Sequence, residues 1–157
     1  MEKRIGIYAG TFDPFTIGHQ HIVERAVELF DELYILIGVN YRKTPFEPTE
    51  KRLKTIQELY ADNPKVKVVT HDGIVAKYVR AISDKAVLIR GIRTVADMEI
   101  ERNIADINRN HFGVDTIFLF SDAKYSSVSS SLVRELATFG EDYSEFLPKK
   151  EVKEAGK

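Results

Sequence analysis

The chain has 157 residues, a length that fits one domain able to bury a core without covalent staples. With a net charge of −1 and no cysteine, it excludes disulfides, thiolate metal sites and a general polyanion-binding field. Nucleic acid is therefore not an expected partner, and no run approaches the roughly 20 apolar residues that a membrane span needs.

MEKRIGIYAG enters a strand pattern at once, without a signal-peptide core, so a soluble cytoplasmic protein is expected. The first strand is predicted over 4–9 (RIGIYA). After GTFDPFTIGH comes a helix over 18–30, with Ile22, Val23, Ala26, Leu29 and Phe30 on one face. His21 is expected at the surface of that helix, turned away from His19. The second strand, LYILIGV over 33–39, leads through NYRKTPF to a helix over 49–60, with Thr49 as its cap and Leu53, Ile56 and Tyr60 inward. VKVVTH (66–71) and HDG precede a helix over 74–83 carrying Ile74, Val75, Tyr78, Val79 and Ile82. AVLI (86–89) runs into RGIRT and a polar helix over 94–110, whose apolar stripe is Val95, Met98, Ile104 and Ile107. TIFLF (116–120) is followed by SDAKYSSVSSS and a helix over 130–139 built on Leu132, Val133, Leu136 and Phe139, which Gly140 stops.

These apolar runs are nearly continuous, as in strands covered on both faces. Their alternation with helices predicts an α/β fold, a doubly wound five-stranded parallel sheet in three layers. A single domain over 1–157 is expected, with a frayed tail over about 149–157.

In such a sheet, ligands bind beyond the carboxyl ends of the strands. The segments there are GTFDPFTIGH, NYRKTPF, HDG, RGIRT and SDAKYSSVSSS, rich in hydroxyls, glycine, lysine and arginine. The opposite ends carry plainer segments such as ELFDE and DNPK. The asymmetry points to a phosphorylated ligand. Individual residues have plainer readings: Gly10 with Asp13-Pro14 makes a tight turn, and Asp13 reads as a turn former rather than a catalyst. Gly91, directly after AVLI, suits a phosphate-contacting turn. The serines of SSVSSS serve equally as a helix cap or an anion site, because both use the same free N–H groups. Nothing in the local composition separates Arg42 from Lys43.

Thr16-Ile17-Gly18-His19 has the form of the T/H-x-G-H signature of the nucleotidylyltransferase superfamily. Preceded by GTFDP and followed by RGIR and SSVSSSLVRE, the chain resembles the phosphopantetheine adenylyltransferase family from about Ile5 to Pro148. The superfamily motif alone also fits acceptors such as glycerol phosphate, nicotinamide mononucleotide or flavin mononucleotide. The resemblance implies a Rossmann-like nucleotidylyltransferase fold and transfer of the adenylyl group of ATP to 4′-phosphopantetheine. It further implies a requirement for Mg²⁺, coenzyme A as a feedback inhibitor, and a homohexamer. Thr11 and His19 would contact the ATP phosphates, with Phe12 lining the nucleotide by its backbone. Lys43 would lie between the two substrates' phosphates, and Arg90 would hold that of the pantetheine substrate. Gly91, Ile92, Arg93 and Glu101 would belong to the ATP site, as would Tyr125, Ser126, Ser127, Val128, Ser129, Ser130 and Ser131. The backbone of Val75 would touch the pantetheine arm, and no residue is assigned to the metal. Ala9, Ile100 and Ser127 depart from the family's usual residues and bear on pocket shape.

Overall fold

A computed structural model describes residues 2–150. Five strands run β1 (Ile5–Gly10), β2 (Glu32–Gly38), β3 (Val66–His71), β4 (Val87–Ile92) and β5 (Thr116–Phe120). Between and after them lie α1 (Ile17–Leu29), α2 (Thr49–Leu59), α3 (Val75–Ile82), α4 (Val95–Phe112) and α5 (Ser130–Thr138). All pairings are parallel, in the order β3-β2-β1-β4-β5, as the alternation predicted. The expected tail lies largely outside the described residues, which end at 150.

Alternate side chains of the central strands enter two cores. Tyr8, Ile35, Ile37 and Ile89 face Ile22, Val23 and Ala26 of α1 and Ile56 of α2. Ile7, Ala9, Leu36 and Leu88 face Ala76 and Val79 of α3, together with Val114. Both faces are covered, which is why β1 and β2 read as unbroken apolar runs rather than as alternation. Chain order reverses across the β1–β4 pair, and the site opens beyond that switch point.

Four local expectations need correction. β4 continues through Arg90, Gly91 and Ile92, which pair with Phe118, Leu119 and Phe120, so Gly91 is a strand residue and not a turn. A Cβ there would stand 3.0 Å from Ile22 Cγ1. The glycine thus lets α1 press against the sheet at the site. Gly91→Ala is expected to cost about 1–3 kcal/mol through overpacking, read as a shifted urea midpoint with an unchanged m-value.

The stripe on α4 does not face the core. Val95 is 77% exposed, Ile104 and Ile107 are also exposed, and the helix has no buried residue. The helix is held instead by its Thr94 cap, by left-handed Gly113 (φ 70°) and by packing of Phe112 at its end. Leu29, Ile74 and Phe139 are likewise exposed rather than inward. Pro48, not Thr49, precedes the first turn of α2, and the Thr49 hydroxyl accepts from Arg52.

Candidate active site

β1 ends at Gly10, and the chain turns sharply through Phe12, whose φ of 49° places a bulky residue in left-handed backbone. That turn buries the Phe12 ring against Tyr8, Phe15 and His19. Thr16 then caps α1: its hydroxyl accepts from the His19 N–H, and its own N–H donates to His19 Nδ1 at 2.9 Å. Because Nδ1 accepts, the proton of the neutral ring belongs on Nε2. Burial first, then the Arg90 and Arg93 charges, lower the His19 pKa from 6.5 to about 3. His19 is therefore a neutral donor at physiological pH. Phe15 stacks on it at 5.3 Å and Phe12 meets it edge-on at 5.0 Å, fixing the ring.

That lowered pKa has a consequence for stability. Between about 6.5 and about 3 the unfolded chain binds more protons at this position than the folded one. The contribution is therefore fully present above the upper value and is lost as pH falls through the window. Wild-type urea stability should fall more than that of His19→Gln between about pH 7 and about pH 4, because the variant lacks the titrating group.

Arg90 rises from β4 into the same space. Its Nε and Nη2 donate to Glu101 of α4 at 2.9 and 2.7 Å, and Nη1 donates to the Ala9 carbonyl. Burial opposes its charge, but Glu101 outweighs that and raises its pKa. Its remaining N–H groups are available to an anion. Arg93 pairs with Asp97 at 3.4 Å and donates to the Val128 carbonyl. Two of the site's cations thus carry carboxylate partners of their own.

The far wall is the start of α5. Ser129 caps it, Ser130 Oγ donates to the Pro14 carbonyl at 2.8 Å, and Arg134 donates to the Asp13 carbonyl at 2.7 Å. Neither α1 nor α5 has an acidic residue in its first turn, whereas α2 has Glu50 and α4 has Asp97. Two positive helix ends are thereby left for an external anion.

These groups enclose a cavity of about 330 Å³. Thr11, Phe12, His19, Arg90, Gly91, Arg93, Glu101, Val128, Ser129, Ser130 and Ser131 all line it. Lys43, Val75, Ile92, Tyr125, Ser126 and Ser127 do not. Lys43 sits on an exposed turn, its N–H bonded to the Asn40 carbonyl. Val75 opens α3 beside the second core. Ile92 is buried at the end of β4, and Tyr125 to Ser127 lie before the α5 cap.

Sequence reasoning missed three contributors. Arg134 lines the cavity from within SSVSSSLVRE, one helical turn after Ser131. Asp13 is no local turn former: its carboxylate accepts from the Phe46 and Glu47 N–H groups, both at 2.8 Å. Buried Arg52 donates to the Thr11 carbonyl at 2.6 Å and to Glu47 and Thr49, with no signal beyond its place on an amphipathic helix. Asp13 and Arg52 together pin the end of the Lys43 segment to the β1–α1 turn.

A parallel sheet whose switch point opens on paired helix ends and a neutral histidine donor is the arrangement of a nucleotidyltransferase, and residues 7–136 match the family described as cytidylyltransferase-like. A bifunctional NMN adenylyltransferase/ADP ribose pyrophosphatase from Francisella tularensis shares the fold, with a TM-score of 0.68 at 16% identity over 96% of this chain and 46% of that one. The phosphopantetheine adenylyltransferase of Phocaeicola vulgatus is 49% identical over 92% of this chain and 95% of its own. That of Porphyromonas gingivalis is 47% identical over 94% and 96%. The chain belongs to the phosphopantetheine adenylyltransferase family.

Proposed function

We propose that the protein transfers the adenylyl group of ATP to 4′-phosphopantetheine, giving dephospho-coenzyme A and pyrophosphate in coenzyme A biosynthesis. Near-half identity to enzymes of that name along nine-tenths of the chain supports the acceptor. The cavity at the β1–β4 switch point supports the chemistry.

The step is an in-line displacement at the α-phosphorus of ATP. A phosphate oxygen of phosphopantetheine, already ionised at neutral pH, forms the new O–P bond as the bond to the β-phosphate oxygen breaks and pyrophosphate leaves. No general base is required, and a histidine held neutral with Nδ1 occupied is not built to be one. His19 Nε2–H donates to the α-phosphate, where equatorial charge grows, and Thr11 assists on the same phosphates. The N–H groups at the start of α5 receive the outer phosphates, with Arg93 and Arg134 beside them. The strand and loop positions Phe12, Gly91, Ile92 and Tyr125 to Val128 shape the nucleotide side. Arg90, steadied by Glu101, holds the acceptor phosphate, Val75 borders the pantetheine arm, and Lys43 swings in between the two substrates.

Among the described residues no three His, Asp or Glu side chains cluster to hold a metal. That fits Mg²⁺ carried on the triphosphate with its own waters rather than caged by the protein. When bound there it neutralises charge on the phosphate oxygens. The exposed apolar row on α4 supports assembly with further copies of the chain, and a hexamer is the proposed state. No helix among the described residues is long and apolar enough to cross a membrane, in keeping with a cytoplasmic setting. Coenzyme A, which shares both product halves, is the proposed feedback inhibitor.

The test is pyrophosphate release from ATP by the pure protein with each acceptor in turn. Release that depends on 4′-phosphopantetheine is expected. Release with glycerol phosphate, nicotinamide mononucleotide or flavin mononucleotide instead would reassign the acceptor.

A further inference from the structure

His21 does not lie open on the surface of α1, where the sequence placed it. Its side chain is 13% exposed and it faces the segment between β5 and α5. Its ring packs on that of Tyr125 with centroids 4.6 Å apart, and its Nε2 lies 3.4 Å from an Asp122 carboxylate oxygen. That nitrogen is buried and has no hydrogen-bond partner. A buried polar atom within reach of a carboxylate but not aligned on it gains its partner by a small movement of the segment. One turn along α1, Arg25 donates to the Phe120 carbonyl at the end of β5. The charged groups nearby are Asp122, Arg25 and Lys124, whose Nζ lies 5.0 Å over the Tyr125 ring.

The clasped segment leads into Val128 to Ser131, which line the cavity, while α1 lines it with Gly18, His19 and Ile22. We infer that His21 is a positioning residue that clasps residues 121–129 to α1 through Asp122 and Tyr125, and so sets the start of α5 at the phosphate wall. Its effect on substrate rests on the nucleotide reading of the cavity; the clasp itself does not.

Two variants test it. His21→Phe keeps the ring on Tyr125 and removes the nitrogen, and Asp122→Ala removes an exposed carboxylate with little risk to folding. Amide exchange over residues 122–131 should accelerate about tenfold in either variant and no further in the double variant, because the two share one interaction. By calorimetry, ATP affinity should fall about fivefold while phosphopantetheine affinity holds, a split that general loosening would not produce. Unchanged exchange, additive effects or equal losses for both ligands would overturn the clasp. Absence of ATP binding to the wild-type protein would instead sink the nucleotide reading, and the exchange comparison would still decide the clasp.

Discussion

Replacing His19 with alanine should lower kcat by roughly 10²–10³-fold, the usual loss when one transition-state donor is removed. The ATP KM should move by only a few-fold, since the α5 start and the arginines would still hold the outer phosphates. Because Thr16 occupies Nδ1 and the pKa lies near 3, no deprotonation of His19 is available near neutral pH. The kcat/KM profile, which reports the free enzyme, should therefore show no acidic limb from this residue between about pH 6 and about pH 8. A near-normal kcat in the alanine variant, measured as pyrophosphate release at saturating substrates, would reject the assignment.

The second large effect is expected at Arg90. Its truncation removes a charged hydrogen-bond donor worth about 1.5–3 kcal/mol, or roughly ten- to a hundredfold in phosphopantetheine KM. It also strands Glu101, whose carboxylate now receives two N–H groups from Arg90. A carboxylate left facing the acceptor phosphate repels it, so Arg90→Ala should be worse than Arg90→Ala combined with Glu101→Gln. Steady-state KM for each substrate in the three proteins reads both points. If ATP suffers more than phosphopantetheine, the two phosphate subsites are exchanged.

The frame was legible because its signals are local. Each apolar run became a strand within a few residues, and Gly140 ends α5 with φ 72° as a stop glycine should. The clustering of hydroxyl and basic segments at one rim was legible too, since every crossover of a parallel sheet delivers the same end of each strand to the same side. What failed was anything decided by a distant partner. Gly91 looks like a turn until Ile22 is found against it. Asp13 looks local until the Phe46 and Glu47 amides arrive on it from another connection. The α4 stripe has the spacing of a core face, and periodicity alone cannot say whether a core stands opposite. His19 and Lys43 were singled out by the same resemblance, but only His19 has groups around it that fix its tautomer and orientation.

The bonds from Ser130 to Pro14 and from Arg134 to Asp13 join residues 116 and 121 positions apart. A nascent polypeptide still on the ribosome therefore has its first turn and its histidine long before the opposing helix end emerges. The nucleotide cradle is among the last features to close during synthesis. Chains cut short before α5 would lack it even if most of the sheet had already formed, so premature termination products should not sequester ATP.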